Sequence, residues 1–425
     1  MIRLTDPEKS VLDGKEGPLK KRALQFIVDY ARVLGADRLC DVTRAHLFAG
    51  AHYYMDACLS DDIDKVISEM LLCSTEVVNL DCFACYAQSD VGPMDPVKWD
   101  ILGIPRERAE KNRSILEKFT KAGLFPAATC TPYLSGFLPR RGEHYVSTES
   151  HAVVLMNSLW GACANADGIE AAYCSAVSGK TPLWGNHVMS NRKGTHHFRV
   201  EFSPATIMEW DLLGYVTGSR TPTHSIPVLS GDLGNPGVVE LKSCFASMAT
   251  TGGAELCHIV GITPEAHDLD QAFGGMASRA EEIITFRDIQ AAADLFAGSD
   301  TAVEYVSLGC PHYSIDQVKG AAVLLEGRKV NRGTELWIWT SPAVKEMSDR
   351  SGYTSTIELS GAQLVTSSCP LVCEAWPREA SSLAFDSLKQ AHYIRPQTRS
   401  AVFFGSMEHC IDAAVTGKWE RRSPR

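Results

Sequence analysis

Apolar residues along this chain recur at helical spacing in some stretches and as short continuous runs in others, and the two kinds alternate. Within 20–35, Leu24, Ile27, Val28 and Ala31 share one helical face, and Gly35 stands where that helix would stop. A short strand is predicted over 39–42, a helix over 63–72 and a strand over 77–80. An amphipathic helix over 111–122 leads into the apolar run 124–129 and then Cys130-Thr131-Pro132-Tyr133. Residues 140–147 read as a polar loop, and 149–162 as a helix with Ser147 and Thr148 as candidate N-caps. From 180 to 240 the chain is rich in Gly, Pro, Ser, His and Arg and has little periodicity, which reads as loops and short strands lining something.

The later part alternates more plainly. A helix over 241–250 stops at Gly252 and Gly253, and a strand over 255–260 runs into Gly261. The run 302–308 ends at Gly309-Cys310-Pro311-His312, and a helix over 314–325 follows. A strand over 335–339 ends at Thr340-Ser341-Pro342, with proline at the favoured first turn of the next helix. Strand 362–366 ends at Ser367-Ser368-Cys369-Pro370, strands over 382–385 and 400–404 come next, and a helix over 407–415 closes the series. Strand–turn–helix alternation implies parallel sheets with helices on both faces, so the fold class is α/β. Ligands in such sheets sit beyond the carboxyl ends of the strands, where Cys310, Ser341 and Cys369 all fall.

Composition narrows the function classes. The 425 residues are enough for two or three domains and a large core, so no disulfide or structural metal is needed for folding. Lys and Arg number 41 against 51 Asp and Glu, a net charge of −10, which argues against a nucleic-acid partner. No apolar run reaches the roughly 18–20 residues of a membrane span. The first residues show no apolar signal region, so the expectation is a cytoplasmic protein with no membrane partner. Fourteen cysteines in such a chain do not read as a disulfide framework.

Most of those cysteines fit a structural reading. Cys73, Cys163, Cys174, Cys244 and Cys257 lie in apolar or helical segments, where a thiol packs as a small hydrophobe. Cys82 and Cys85 form a C-x-x-C pair, but no second pair follows at zinc-ribbon spacing. Cys369 and Cys373 have helical spacing, yet Trp376 and Pro377 would soon end a helix. Cys130, Cys310 and Cys369 differ: each follows a predicted strand and is followed by Pro or Thr-Pro, in a turn whose N–H groups can point at sulfur. Three such thiolates suit one iron–sulfur cluster with an iron position open to substrate. Three ordinary turn cysteines answer to the same spacing. So does a single nucleophilic Cys310 with His312 two residues on, a separation at which helical residues do not face each other.

Several short strings, taken in order, carry a resemblance. They are Ala45-His46, Cys130-Thr131-Pro132-Tyr133, Gly142-Glu143-His144, Glu149-Ser150, Asn191-Arg192-Lys193, Gly261-Ile262-Thr263-Pro264-Glu265, Gly309-Cys310-Pro311-His312 and Ala391-His392-Tyr393. Together the chain resembles the large catalytic region of aconitase X, a divergent branch of the aconitase superfamily, from about residue 2 to 416. The resemblance implies parallel sheets flanked by helices in two or three subdomains around a central cleft. The expected division is 1–125, an N-terminal α/β unit, 126–300, a central unit with Gly/Pro-rich loops, and 301–425, a doubly wound C-terminal unit. It also implies an iron–sulfur-dependent hydro-lyase acting on cis-3-hydroxy-L-proline or on phosphomevalonate, with Cys130, Cys310 and Cys369 as cluster ligands. The family has a further swivelling domain with a Gly-Ser-Ser segment, fused or supplied as a small subunit. That segment is not found in this sequence, so a serine that could act as base is expected from a small partner subunit or from a further part of the protein.

Two departures bear on substrate. The family's His-x-Ser-Gly stands here as His46-Leu47-Phe48-Ala49-Gly50, and its Arg-x-Asn-Arg as Cys163-Ala164-Asn165-Ala166. Arginine forks are preferred partners of phosphate, so their loss favours hydroxyproline. In that substrate the hydroxyl and the C2 hydrogen lie on opposite faces, and their loss is an anti elimination giving Δ1-pyrroline-2-carboxylate. The step needs a Lewis acid at the hydroxyl, a base at C2 and a countercharge for the carboxylate. His46, Glu149 and Ser341 are the candidate catalytic groups, and Asn165, Lys193 and Lys389 the candidate substrate-binding ones. Simpler readings are a core histidine, a first-turn acid, an N-cap and solvated lysines. A non-catalytic iron–sulfur scaffold or redox sensor is the alternative from another class.

Overall fold

The computed structural model describes residues 2–50, 62–70, 80, 82–275, 281–298, 301–373 and 380–422. Cys73, Trp376 and Pro377, and the strand expected over 77–80 apart from Leu80, lie outside the described residues, as does the last part of the helix expected over 63–72.

Three parallel sheets follow one another along the chain. The first contains β1 (Arg44–Leu47), β2 (Tyr86–Ser89), β3 (Leu124–Phe125) and β4 (Tyr145–Ser147), in the spatial order β3-β2-β1-β4. The second contains β5 (His196–Val200), β6 (Pro227–Gly231), β7 (His258–Ile259) and β8 (Glu281–Ile284), in the order β8-β5-β6-β7. The third contains β9 (Tyr305–Tyr313), β10 (Glu335–Thr340), β11 (Gln363–Thr366), β12 (Ser382–Phe385) and β13 (Ala401–Phe404), in the order β11-β10-β9-β12-β13. In the first sheet the order reverses between β1 and β4, and in the third between β9 and β12. Ligands bind at such switch points.

The principal helices are α1 (Pro18–Leu34), α2 (Arg106–Lys121), α3 (Ser150–Trp160), α4 (Ile169–Ser178), α5 (Ile207–Arg220), α6 (Val238–Gly252), α7 (Ile315–Leu325), α8 (Pro342–Arg350), α9 (Leu388–Ile394) and α10 (Met407–Thr416). α1 starts on Pro18 and stops at Gly35 in the left-handed conformation, and its buried stripe is Ala23, Leu24, Ile27, Val28 and Ala31. That stripe packs with α4 and the first sheet. The third sheet is covered by α7 and α10, and α3, α5 and α6 share a core with the second sheet.

Several expectations change. The stretch read as a polar loop ends in β4, whose Tyr145, Val146 and Ser147 are all buried. The stretch read as loops contains α5, a helix of 14 residues. Its periodicity is hidden because it is buried nearly all round, polar Asp211 and Thr217 included. Gly214 and Gly218 lie against the backbone of α6, where a methyl group would come within 1.9 Å of the Cys244 carbonyl oxygen and 2.5 Å of that of Met248. The N-cap of α3 is Glu149, not Ser147 or Thr148. The strand expected over 302–308 continues to Tyr313, with its pairing to β10 shifted between Leu308 and Tyr313, so Cys310 sits in a bulge rather than after a strand.

Candidate active site

The carboxyl ends of the first and third sheets face each other. Gly92 N–H, after β2, donates to Ser367 O, after β11, at 2.7 Å. Asp95 accepts from the Thr366 N–H at 2.7 Å across the same gap. Cys130 comes from the loop after β3, Cys310 from the bulge in β9 and Cys369 from the loop after β11. Each is preceded, by one or two residues, by a residue of positive φ: Ala128 at 46°, Gly309 at 98° and Ser367 at 66°. For Ala128 and Ser367 this is an uncommon, strained conformation of the kind concentrated at functional sites. At Gly309 a side chain would also meet the Trp339 carbonyl oxygen at 2.3 Å, so glycine is required there.

The three thiols are close enough to act electrostatically on one another. Cys130 accepts from His312 N–H at 3.3 Å, and Ser387 beside Cys310 and the Leu371 N–H beside Cys369 act to favour the thiolate forms. Three thiols from separate segments acting on one another, with the His312 N–H aimed at the Cys130 sulfur, suit an iron–sulfur cluster whose ligands each take a different iron. Burial pushes the Cys310 thiol up to about 12 and raises Cys130 and Cys369 as well, so thiolate character depends on a bound cation.

Charges gather beside the thiols. Glu149 follows β4 and caps α3, where the helix dipole favours a carboxylate. Its Oε1 accepts from Lys389 Nζ at 2.6 Å and pairs with His151 Nδ1 at 2.8 Å. Burial works to raise the Glu149 pKa, but Lys389 and His151 outweigh it and hold the group well below the usual carboxylate range. Burial likewise works to lower Lys389, and Glu149 and the Cys310 thiol hold it raised. Asp90, just past β2, behaves oppositely: burial and then the Glu149 charge push it well above the usual range. The two carboxyl groups are therefore pushed in opposite directions, the arrangement expected where acid and base roles are divided.

His46, Glu149 and Lys389 join the group around the thiols. His46 is fully engaged: Nε2 faces the Thr129 carbonyl oxygen at 2.9 Å and Nδ1 faces the Ser147 hydroxyl at 3.2 Å. A carbonyl only accepts, so Nε2 carries the proton and Nδ1 accepts from Ser147. Burial pulls His46 down to about 4, and it stays neutral. Ser341 is a buried N-cap of α8, accepting from Val344 N–H at 3.2 Å. Asn165 holds the 184–186 turn, accepting from Asn186 N–H at 2.8 Å, and lines a separate cavity of about 400 Å³ with Trp184 and Glu255. Lys193 lies along Gly274 beside the second sheet. Sequence reasoning missed Asp90, His151, Tyr133 and Ser387. Asp90 follows a strand whose residues Tyr86–Ser89 carried no recognised signal. His151 Nε2, Tyr133 Oη and Ser368 Oγ are buried with no protein partner and are the polar atoms a ligand would satisfy.

Three parallel sheets, two of them meeting at their carboxyl ends over three thiols and a carboxylate–lysine pair, define a buried-site α/β enzyme rather than a scaffold. The chain matches the Aconitase X first domain over residues 1–190, the second domain over 194–294 and the third domain over 303–416. It is 32% identical over 415 residues to the phosphomevalonate dehydratase large subunit of Methanocaldococcus jannaschii, covering 96% of this chain and 99% of that one. It is 29% identical over 444 residues to the cis-3-hydroxy-L-proline dehydratase of Hypocrea jecorina, covering 100% of this chain and 70% of that one. The crystal structure of Thermococcus kodakaraensis aconitase X in its holo-form superposes with a TM-score of 0.81 at 28% identity, over 97% of this chain and all of that one. The chain belongs to the aconitase X family and is a hydro-lyase. Among its described residues no helix is long and apolar enough to cross a membrane.

Proposed function

We propose that Cys130, Cys310 and Cys369 hold an iron–sulfur cluster and that the chain, with a small partner subunit, dehydrates cis-3-hydroxy-L-proline to Δ1-pyrroline-2-carboxylate. The observation that carries this is the trio of mutually interacting thiols beside the ionised Glu149–Lys389 pair. A cluster there would supply an iron acting as Lewis acid on the substrate hydroxyl. The Asp90 carboxylic acid holds the proton that the departing hydroxyl takes up. Tyr133 Oη, with no protein partner, is placed to donate to the substrate carboxylate, and His151 Nε2, whose ring proton sits on Nδ1 toward Glu149, is placed to accept from the substrate. Lys389 acts through Glu149, and His46 acts by position, fixing Thr129 next to Cys130 and Ser147 near Glu149. The proton on C2 goes to a base on the small partner. Relatives that the chain spans end to end are named large subunits, which supports such a partner.

Among the described residues, the charged groups acting most strongly on the thiols and Glu149 include the lysines Lys389 and Lys242 and no arginine, which favours a carboxylate substrate over a phosphate dianion. A second reading, phosphomevalonate dehydration, draws on the names of the relatives that match over their full length. Anaerobic assay of the reconstituted chain with its partner on both compounds separates them. Turnover of hydroxyproline alone is expected. Turnover of phosphomevalonate alone overturns the substrate assignment, and an iron-free, colourless protein overturns the cluster.

A further inference from the structure

A second group of metal-type donors lies at the other end of the first sheet. Cys40, His144 and His187 each offer one ligand atom, and these lie within 4.8 Å of one another. They come from three segments distant in sequence. Cys40 is in the short strand Leu39–Asp41, which pairs antiparallel with Lys180–Pro182. His144 immediately precedes β4, so it stands at the amino end of the strand whose carboxyl end leads to Glu149. His187 closes the single turn Gly185–His187.

The local geometry calls for an ion. The Nδ1 atoms of His144 and His187 face each other at 3.1 Å. Around a tetrahedral zinc, donor atoms stand about 3.3–3.8 Å apart, so the pair already has nearly the required spacing. His187 is only 2% exposed, and its Nδ1 is the ring nitrogen turned to His144. The surroundings are soft: Cys163 bridges to His144, acts on the Cys40 thiol, and has its Sγ 3.8 Å from Met189 Sδ. The neighbouring Asp41 is taken up by Lys180 at 2.7 Å. One thiolate and two imidazoles are the donors chosen by borderline ions rather than by calcium or magnesium.

We propose that Cys40, His144 and His187 bind one divalent ion of the zinc type, with a fourth position taken by water. Cys40 gives its thiol proton to solvent as its sulfur binds. Two positive charges and one thiolate leave a net single positive charge beside the Lys180–Asp41 ion pair. The ion fastens the 185–187 turn and the strand 39–41 to the start of β4. It is separate from the thiol group of the active site and structural in role.

The test uses the full chain, stripped of metal by chelator and titrated anaerobically with zinc and, in parallel, with cobalt(II). Expected is one tightly held zinc, a tetrahedral cobalt spectrum with a thiolate charge-transfer band, and a melting temperature that rises on zinc addition. Cys40→Ser and His144→Gln each should weaken zinc binding by roughly 100-fold and abolish the cobalt band. Cys310→Ala should leave both intact. Should Cys40→Ser fail to fold, His144→Gln, which keeps the side chain's polarity, decides alone. Equal zinc uptake by the wild type and His144→Gln overturns the site, as does a cobalt band that vanishes with Cys310→Ala and survives His144→Gln.

Discussion

Lys389 and then His151 hold the buried Glu149 well below the usual carboxylate range, while burial and then the Glu149 charge push Asp90 well above it. Replacing Glu149 with Gln should lower kcat/KM by roughly 100-fold or more, since it removes the charge that organises Lys389 and His151. Replacing Lys389 with Met should be harsher for the fold. It leaves a buried carboxylate uncompensated, a loss of about 3–5 kcal/mol measurable by urea unfolding. Adding Glu149→Gln to that variant should restore part of the stability but not the activity. Asp211 gives a test by pH. Burial raises it from 3.8 to about 7, while it accepts from Leu388 N–H at 3.1 Å just before Lys389. The folded state thus binds a proton that the unfolded state has lost between about pH 4 and pH 7. The Asp211 contribution is therefore full below about pH 4 and is lost as pH rises through 7, at about 1.4 kcal/mol per unit. Asp211→Asn should flatten the fall of melting temperature across that window.

At the scale of elements, the contact between α5 and α6 depends on two glycines. In a solvent-exposed helix Gly→Ala would stabilise by up to about 1 kcal/mol. Here the added methyl meets the Cys244 carbonyl oxygen within 1.9 Å, so Gly214→Ala should instead destabilise by about 2 kcal/mol in denaturant titration. The same contact explains why α5 was illegible. Its residues are buried on all sides, so no apolar stripe marks a face, and polar Asp211 and Thr217 interrupt what apolar pattern there is. By contrast α1, with one face in solvent, was read together with its Gly35 stop. β4 was missed for its length of three residues and its polar lead-in, and β2 because Tyr86–Ser89 neither alternates nor is β-branched.

On the scale of the whole molecule, the proposed cluster pocket exists only where two sheets meet. Cys130 belongs to the first sheet and Cys310 and Cys369 to the third, and the bond between Gly92 and Ser367 ties the two edges. Replacing any one of the three with Ala should cost both the brown iron–sulfur absorbance and turnover. Cys85→Ser should keep both, because Cys85 lies apart, its Sγ 3.8 Å from the Ala176 carbonyl oxygen. Iron content and visible spectra of anaerobically prepared variants check this directly. Loss of iron in Cys85→Ser, or its retention in Cys369→Ala, would show that the wrong thiols had been chosen.

The sequence by itself determined the α/β class, the parallel sheets and the family, and it singled out Cys130, Cys310 and Cys369 as candidates. These follow from local periodicity, turn residues and short ordered strings, which are properties of neighbouring residues. It also suggested Glu149 and Lys389, but it gave no reason to join them across 240 positions. Only the tertiary structure made them an ion pair, engaged Ser341 as an N-cap and Asn165 in the 184–186 turn, and brought the Glu149 charge to act on Asp90. The physical reason is that burial and the charges of distant segments set protonation and partnership. The same long-range packing brought Cys40, His144 and His187 together, three residues that no spacing along the chain connects.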